Sequence, residues 1–434
     1  MRSCIKDILQ KIDKDHFSLL QNIGKVAQNE KLKAYLVGGM VRDLLLGFNN
    51  LDIDIVVENN AHLLAELLVK QFPYCELSAK HDRFHTAKLV FNMNGKKIPV
   101  DLASTRQEIY EYPAALPTVR VSELKKDLFR RDFTINALAI SLLPDEFGDI
   151  VDLFDGLLDL KNKKIRVLHD LSFIDDPTRI IRAIRFATKL NFEIEEYTEK
   201  LLKEAIDSKQ FDNLIDKIRG DRVKIEIRYL FNLSNIEKAI EIFFSSGACR
   251  LVSTELQCDR IDLPRQVHTD VLHGRTHQWL IYLALIMKDL TPESQDQTMK
   301  NLQLTNDEMK IIKSSFVASN RLQALLKNNQ TINSMVIYRE LKDLAIESVL
   351  ILQMLIAVDA LQCNASTTFI RDLIKEYINV TSQIKLEITG QDLITMGIKE
   401  GKKIGEILDK VLEKKIKNPN MKKEDEIKEA KLNL

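Results

Sequence analysis

Residues 51–57 place two aspartates one residue apart among apolar residues. In a β-strand, Asp52 and Asp54 would lie on one face while the apolar side chains enter a core from the other, and alternate residues lie about 7 Å apart. Carboxylates at that distance repel each other unless a cation lies between them. Hard oxygen ligands on one face suit Mg²⁺. The pair therefore indicates a metal site, with a solvated strand face as the alternative interpretation of an isolated pair.

A glycine pair lies upstream of the aspartates. Residues 34–37 form a short apolar run that ends in Gly38 and Gly39, and residues 40–46 have a helical pattern. Glycines between a strand and a helix let a phosphate group approach the backbone, and the helix N-terminus offers free N–H groups to an anion. The glycines alone could mark only a tight turn. Together with the aspartates they indicate a phosphate-binding loop beside a metal site.

A third carboxylate, Asp101, occurs in a strand-like segment, residues 97–103. The preceding strand-like segment, residues 86–91, is joined to it through Asn94 and Gly95, which are a hairpin signal. If the second strand of this hairpin neighbours the strand of the aspartate pair, Asp101 lies beside that pair. The alternative is an exposed strand aspartate without a chemical role.

Three arginines recur at helical spacing after an aspartate. Asp176 is a candidate N-cap with Pro177 at the first helical position, and Arg179, Arg182 and Arg185 follow along one side of the helix. Cytosine and adenine both present an amino donor next to a ring-nitrogen acceptor. A carboxylate that accepts beside a guanidinium that donates complements both bases, whereas uracil and guanine present the opposite order. The first aspartate and arginine could therefore select C and A.

Residues 130–137 read Arg-Arg-Asp-Phe-Thr-Ile-Asn-Ala. Asp132 can accept a hydrogen bond from a ribose hydroxyl, Arg131 can pair with a phosphate, and Asn136 can fix the loop. The alternative is an aspartate cap whose flanking arginines lie in solvent.

The elements around these residues change in character along the chain. Seven of the 14 glycines lie in residues 1–156, and only Pro264 and Pro292 of the nine prolines lie between residues 178 and 418. The long stretch without turn-forming residues predicts successive helices, for example over residues 198–206 and 221–231. The pattern predicts an α+β head followed by an all-α body.

The composition excludes several classes of protein. The 434 residues are 45% hydrophobic and 29% charged, which is typical of a globular chain of about two to four structural units. Lys plus Arg and Asp plus Glu both number 63, so nucleic acid would bind through local basic patches. The sequence has no apolar run long enough for a membrane helix, and we expect no secretory signal. We interpret its five scattered cysteines as reduced thiols, and we expect a cytoplasmic protein.

These segments resemble one protein family in the same order along the chain. The motif Gly-Gly-x-Val-Arg-Asp that ends at Asp43, with the aspartate-pair strand after it, resembles the head of the polymerase-β-type nucleotidyltransferases. More narrowly, it is similar to the bacterial class II tRNA nucleotidyltransferase and poly(A) polymerase family. Residues 130–137 resemble the family's Arg-Arg-Asp-Phe-Thr-x-Asn-Ala segment. Residues 175–179 resemble its Glu-Asp-x-x-Arg segment, with Asp175 in place of the glutamate, which keeps the charge but shortens the reach.

Three further segments resemble family motifs outside the catalytic strand. Residues 152–156 resemble the acidic connector between head and neck, which we interpret as a structural hinge. Arg222 and Glu226 occupy matching places of a neck helix, where they could form an intrahelical ion pair or support the site. Residues 388–393 resemble the C-terminal segment that is expected to contact tRNA.

The resemblance implies a fold and an activity. The fold is α+β: a polymerase-β-type nucleotidyltransferase head, made of a mixed sheet with helices, and then an all-α neck, body and tail. We place the head at residues 1–150, the neck with its nucleotide-selecting helix at 151–235, the body at 236–385 and the tRNA-contacting tail at 386–434. The implied activity is template-independent addition of C and A residues to the 3′ end of tRNA from CTP and ATP, with release of pyrophosphate.

The resemblance also assigns the site residues. Asp52 and Asp54 would hold two Mg²⁺ ions for two-metal phosphoryl transfer, and with Asp101 they form the catalytic set. The residues assigned to nucleotide binding are Gly38, Gly39, Arg42, Arg131, Asp132, Asn136, Asp175, Asp176, Arg179, Arg182 and Arg185.

The loop at residues 110–119 leaves the number of added nucleotides open. Full CCA-adding enzymes usually carry a charged loop there, whereas this loop is apolar and contains Pro113 and Pro117, which is closer to A-adding enzymes. We favour CCA addition over A-only addition, with CC-only addition and poly(A) synthesis as further alternatives. An A-only enzyme would need a separate CC-adding partner enzyme.

Two other classes of protein compete with this interpretation. The His-Asp pairs at residues 81–82 and 169–170, and the histidines at 268, 273 and 277, could belong to a metal phosphohydrolase. The first pair lies near a strand and the later cluster lacks an adjacent aspartate, so we favour packing or surface roles. A catalytically inactive RNA-binding protein of the same fold would not need Asp52 and Asp54.

Overall fold

The computed structural model describes residues 12–48, 51–109, 111–112, 117–208, 220–257, 278–328, 330–360, 365–398 and 401–433. The chain divides into two compact units, Met1–Thr254 and Glu255–Leu434. The finer division into head, neck, body and tail stays a prediction.

The first unit contains a mixed seven-stranded sheet of order β3-β4-β5-β2-β1-β8-β9. β2 and β5 are parallel, and the other neighbouring strands are antiparallel. β6 pairs with β7, and β10 pairs with β11. The strands are β1 (Ala34–Val37), β2 (Ile53–Val57), β3 (Cys75–His81), β4 (Thr86–Met93), β5 (Lys96–Ser104), β6 (Arg106–Ile109), β7 (Thr118–Val121), β8 (Leu138–Ser141), β9 (Ile150–Asp152), β10 (Lys164–Ile165) and β11 (Glu193–Ile194).

Helices surround the sheet and continue beyond it, which confirms the predicted α+β class of the head. α7 packs against α9 and α10. The helices described in this unit are α1 (Lys14–Asn29), α2 (Gly39–Leu45), α3 (Ala61–Gln71), α4 (Leu124–Phe129), α5 (Gly156–Asn162), α6 (Ser172–Asp175), α7 (Thr178–Leu190), α8 (Glu196–Asp207), α9 (Gly220–Phe231) and α10 (Ile236–Ser245).

Local sequence explains several element boundaries. The α3 helix begins after Asn60, whose side chain accepts a hydrogen bond from the backbone N–H of Leu63, as an N-cap does. Asn94 and Gly95 have φ angles of 49° and 78°, so the β4–β5 hairpin closes through two residues in the left-handed region, as in a type I′ turn. The hairpin signal in the sequence is confirmed.

The strand of the aspartate pair is shorter than predicted. It begins at Ile53, whose register partner on β5 is Val100, so residues 51 and 52 precede the ladder. Leu51 is accordingly 40% exposed rather than part of the core. Val56 lies on the other face of the sheet and packs with Tyr35, so apolar side chains cover both faces of β2.

The second unit is helical throughout its described elements. Every residue of α11 after Gln278 is buried. The described helices are α11 (Gln278–Met287), α12 (Pro292–Asn301), α13 (Asn306–Lys327), α14 (Ser334–Leu341), α15 (Ile346–Ala360), α16 (Ala365–Asn379), α17 (Gly390–Thr395), α18 (Lys402–Lys417) and α19 (Lys423–Leu432).

The C-terminal segment forms packed helices. Ile388, Leu393, Ile407 and Val411 are among the buried residues of its own apolar cluster. Lys415 pairs with the fully buried Glu426, whose other carboxylate oxygen accepts hydrogen bonds from the backbone N–H groups of residues 387 and 388. Because each charge has partners, the burial of this pair is tolerated.

The structure bears on two general expectations, which concern membrane helices and the state of the cysteines. In the described part of the chain, no helix is both long and apolar enough to cross a membrane. Cys75 is a buried free cysteine, whereas Cys249 is disulfide-bonded, so the expectation of reduced thiols is wrong at Cys249. The cytoplasmic location stays a prediction. The histidines at 268, 273 and 277 lie outside the described residues, as do residues 110 and 113–116 of the loop at 110–119.

Candidate active site

The three candidate catalytic aspartates lie at the start of β2 and on its neighbour β5. The parallel register pairs Asp54 with Asp101, which places both side chains on one face of the sheet. Asp52 comes just before β2 begins. Lys88 pairs with Asp101 across β4 and β5 and lies 3.4 Å from its carboxylate. The structure thus brings Asp101 beside Asp54 as the hairpin predicts, while its catalytic role stays a prediction.

The carboxyl group of Asp54 is shifted toward its neutral form. Burial raises its pKa, the charges of Asp101 and Asp52 add to the rise, and Arg131 opposes them, for a pKa of about 6. A cation beside these carboxylates would reverse the shift. This strand end therefore has the electrostatics of a cation site.

The donor set fits a metal that shares its ligands with a substrate. Among the residues that the structure describes, no three His, Cys, Asp or Glu side chains come together closely enough to form a metal site by themselves. Mg²⁺ is usually held by one or two carboxylates and completes its shell with water and substrate phosphates. Asp52 and Asp54 fit that pattern.

Gly38 occupies the turn between β1 and α2, directly beside the aspartates. Its φ of 77° lies in the left-handed region, where glycine is favoured. A Cβ atom placed there would lie 3.4 Å from Oδ2 of Asp54 and 3.6 Å from Nη1 of Arg131. Because β1 and β2 are antiparallel neighbours, the end of one meets the start of the other. The glycine therefore keeps open the space between a carboxylate and a guanidinium.

A cavity of about 890 Å³ joins this strand end to α7 and α9. Most of the residues assigned to nucleotide binding or catalysis line it. These are Gly38, Gly39, Arg42, Asp52, Asp54, Arg131, Asp132, Asn136, Asp176, Arg179, Arg182 and Arg185. Asp175 lies outside the set of described residues that line it. Asp101 instead lines a second cavity of about 400 Å³, which shares Asp54 and Arg131 with the first.

Asp132 is fixed by four hydrogen bonds. Its Oδ1 accepts from the backbone N–H of Phe133 and from Nδ2 of Asn136, both at 2.9 Å. Its Oδ2 accepts from Nε of Arg182 at 2.9 Å and from Nη2 of the same guanidinium. Burial alone would raise the pKa of Asp132, but the charge of Arg182 and the hydrogen bonds lower it to about 2. The carboxylate is therefore ionised and rigid before any ligand binds.

Arg42 belongs to the same network. Its Nη1 donates to Oδ1 of Asn136 at 2.7 Å, and its Nε donates to Oδ1 of Asp43 at 2.7 Å. Only 3% of Arg42 is exposed, and its guanidinium lies over the ring of Phe186. These contacts position the cavity wall, and a direct phosphate contact by Arg42 stays a prediction.

Asp176 and Arg179, the candidate base-selecting pair, are each fixed by hydrogen bonds. Oδ1 of Asp176 accepts from the backbone N–H and the hydroxyl of Thr178, and Oδ2 accepts from Arg222 of α9. Arg179 donates from Nη1 to Oγ of Ser172 and from Nη2 to the backbone carbonyl of Arg130, both at 2.7 Å. Both residues are less than 10% exposed and still line the cavity.

Glu226 bridges the next two arginines of α7. Its Oε1 accepts from Nη1 of Arg182 at 2.8 Å, and its Oε2 accepts from Nε of Arg185 at 2.9 Å. Together with the contact between Arg222 and Asp176, these hydrogen bonds hold the side chains of α7 in place from α9. The structure therefore favours the supporting role over an intrahelical pair.

Sequence reasoning missed Asp127. This fully buried carboxylate accepts from Arg130 at 2.8 Å and from Arg131 at 3.1 Å, and its Oδ1 also accepts from the backbone N–H of Arg106. Burial raises its pKa, but the two arginine charges hold the pKa below its ordinary value. The available signal was the spacing of three and four residues from Asp127 to the arginines.

The acidic connector has a structural role. The carboxylate of Asp152 accepts from the backbone N–H groups of Gly156 and Leu157, both at 2.9 Å, which fixes the turn before α5. Asp155 in this turn has a φ of 58°. These contacts agree with the interpretation of residues 152–156 as a structural connection.

Comparisons with known proteins cover both units. A model of the poly(A) polymerase head domain matches residues 34–166, and a model of tRNA nucleotidyltransferase domain 2 matches residues 272–429. The chain is 35% identical over 426 residues to the A-adding tRNA nucleotidyltransferase of Geobacter sulfurreducens, a match that covers 95% of this chain and 46% of that protein. The matched region covers less than half the length of each of the three A-adding relatives.

Solved structures are similar over nearly the full chain. A CCA-adding enzyme in an apo form is 32% identical with a TM-score of 0.82, and 99% of both chains is covered. The Thermotoga maritima CCA-adding enzyme in complex with tRNA is 30% identical with a TM-score of 0.79, covering 99% of this chain and 98% of that one.

Proposed function

Because this chain belongs to the tRNA nucleotidyltransferase family, we propose that it adds C and A residues to the 3′ end of tRNA from CTP and ATP and releases pyrophosphate. One observation carries the proposal: a single cavity joins Asp52 and Asp54, at the start of β2, to Asp176 and to the arginines of α7. A nucleotide bound there can place its phosphates beside Asp52 and Asp54. Its base can then lie beside Asp176 and Arg179. The proposed place of action is the cytoplasm, on the sequence grounds given above.

The reaction is a substitution at phosphorus. The 3′-hydroxyl oxygen of the RNA attacks the α-phosphorus of the nucleotide, the bond from that phosphorus to the bridging oxygen breaks, and pyrophosphate leaves. Arg131, Arg182 and Arg185 surround the cavity with fixed positive charge, which stabilises the phosphates without reorganisation during the reaction. Gly38 leaves room for the triphosphate beside Asp54.

CCA-adding nucleotidyltransferases are in general metal-dependent. We assign two Mg²⁺ ions to Asp52 and Asp54, with Asp101 as the third carboxylate of the catalytic set. When bound, Mg²⁺ supplies positive charge for the triphosphate and favours ionisation of the RNA hydroxyl. The raised pKa of Asp54 supports this assignment, because burial and the neighbouring carboxylates of Asp101 and Asp52 outweigh the charges of Arg131 and Lys88 there.

Asp176 and Arg179 determine which base is accepted. The carboxylate of Asp176 accepts from the amino group of C or A, and the guanidinium of Arg179 donates to the neighbouring ring nitrogen. Their contacts with Arg222 and Ser172 hold both groups in place before a base binds. Such preorganisation lets the protein act as a template for two bases.

A second candidate is A-only addition to tRNA that already ends in CC. Its support is the apolar loop at residues 110–119 and the identity of 35% to an A-adding relative. A separate CC-adding enzyme would then share the task.

Incorporation of labelled CTP and ATP into three tRNAs separates the candidates: one lacking CCA, one ending in C and one ending in CC. Addition to all three that stops at A supports the CCA-adding proposal. Addition of A to the CC-ending tRNA alone supports the second candidate. No incorporation into any of them contradicts both.

A further inference from the structure

Two side chains on the cavity face of α9 have no role in the account so far. Residues 222, 225, 226 and 229 follow the helical spacing of one face, and all four line the large cavity. Glu226 binds two arginines of α7, and Arg222 binds Asp176 just before that helix. Ile225 and Tyr229 are instead 47% and 57% exposed. An apolar surface is thus presented to a cavity that is otherwise lined mainly by charged groups.

Tyr229 is the exposed end of a series of stacked planar groups. The guanidinium carbon of Arg185 lies 4.5 Å from the ring centroid of Phe186 and 5.4 Å from that of Tyr229. Phe186 is 5% exposed, and Glu226 fixes Arg185 by the hydrogen bond to Nε. Cation–π attraction to a fixed guanidinium orients the tyrosine ring. The ring is therefore held in place and still accessible to a ligand.

The ligand that suits such a ring here is a flat, aromatic group attached to a phosphate. The neighbouring arginines attract anions, and a tyrosine ring next to basic side chains is the arrangement on which nucleobases stack. We infer that Tyr229 is a stacking platform for a nucleobase in this cavity. The inference rests on the proposed function. Two substrates carry such a base, namely the nucleoside triphosphate and the 3′ end of the RNA.

Fluorescence of a Tyr229→Trp variant of the full chain tests the contact, because a base that stacks on an indole quenches its emission. ATP and CTP are titrated without RNA, and tRNA ending in CC is titrated without nucleotide. The wild type supplies the baseline of its single tryptophan, Trp279, which is buried in the second unit. Tyr197→Trp is the matched control, since Tyr197 is 49% exposed in the same unit and outside the lining of the cavity.

We expect saturable quenching of Tyr229→Trp and none of Tyr197→Trp. Quenching by the free nucleotides assigns the stacked base to the incoming nucleotide, and quenching by the RNA alone assigns it to the acceptor end. Absence of quenching by both, under conditions in which calorimetry shows both to be bound, overturns the inference.

Kinetics give a second readout. Tyr229→Ala should raise KM about fivefold or more for the substrate whose base stacks, and Tyr229→Phe, which keeps the ring, should restore it. Unchanged KM values for both substrates in Tyr229→Ala contradict the inference. If the wild type binds nucleotide but extends no tRNA, the proposed function fails, and quenching by nucleotide still decides the stacking contact.

Discussion

A Cβ atom added to Gly38 would lie 3.4 Å from Oδ2 of Asp54. This closeness follows from the antiparallel pairing of β1 with β2, which places the turn after β1 beside the first carboxylate of β2. A substituent at the glycine would occupy the space that we assign to the triphosphate.

Gly38→Ala should therefore reduce kcat/KM for nucleotide incorporation at least about tenfold, with a loss of stability of about 1–2 kcal/mol from the positive φ. Gly47→Ala is the matched control, because Gly47 has a φ of 80° but no atom within 4 Å of its Cβ position. That variant should show the strain in thermal unfolding and keep its activity. Equal activity losses in the two variants would mean that backbone strain, and not the space beside Asp54, explains the effect.

Arg179→Ala should reduce base discrimination more than it reduces phosphate binding. The guanidinium is the donor that we assign to the ring nitrogen of C and A, while Arg131, Arg182 and Arg185 continue to line the cavity. The measurement is kcat/KM for all four ribonucleotides on tRNA ending in CC. A shift of about 1–3 kcal/mol in discrimination against UTP and GTP is expected for loss of one bidentate base contact. A uniform loss for all four nucleotides, with selectivity unchanged, would refute the template role.

Asp127→Asn should destabilise the first unit by about 3 kcal/mol or more, because it removes the buried negative charge that Arg130 and Arg131 share. Chemical denaturation measures the loss. Glu193→Gln is the control: it removes an ion pair between exposed side chains, Lys164 and Glu193, and should leave stability unchanged. Equal stability of the two variants would contradict the structural role of Asp127.

The pKa of Asp54 predicts a pH dependence. Its folded-state value of about 6 lies above the ordinary 3.8, so the native protein binds this proton more tightly than the unfolded chain. The metal-free protein should therefore lose stability as pH rises from about 4 to 6, and Asp54→Asn should remove that loss.

Added Mg²⁺ should raise the unfolding temperature at pH 7.5 and have little effect at pH 5, where protons compete for the carboxylate. Differential scanning calorimetry of the wild type and Asp54→Asn measures both effects. Equal stabilisation of the variant by Mg²⁺ would place the metal elsewhere.

The sequence predicted those parts of the fold that depend on local pattern. The strand at residues 34–37 matches the structure end to end, because it is a short apolar run. The helix predicted at residues 221–231 begins one residue earlier, at Gly220, and ends at Phe231 as predicted. Strand β8 (Leu138–Ser141) was missed. It is four residues long, follows the loop at 130–137 directly, and is defined by its pairing with β1.

The candidate site was likewise predictable from the sequence only in part. The residues that line the cavity could be identified from motifs, since their types and spacing carry the chemistry. Their partners could not: Arg222 reaches Asp176 across 46 positions, and Arg182 reaches Asp132 across 50. Such contacts depend on how helices pack, which a single sequence does not encode in local spacing. Asp175 shows the limit of motif transfer, because it fits the family segment but lies outside the lining of the cavity.

The most direct test of the account is transfer of label from α-labelled ATP to tRNA ending in CC. The wild type is compared with the Asp54→Asn variant, once thermal unfolding and ATP binding have been shown to be the same for both proteins. We predict that the wild type adds one A and stops, and that the variant loses activity by about a thousandfold or more, since it lacks a carboxylate of the metal site. Undiminished transfer by the variant, or no transfer by the wild type, would contradict the assignment of this cavity as the site of nucleotide addition.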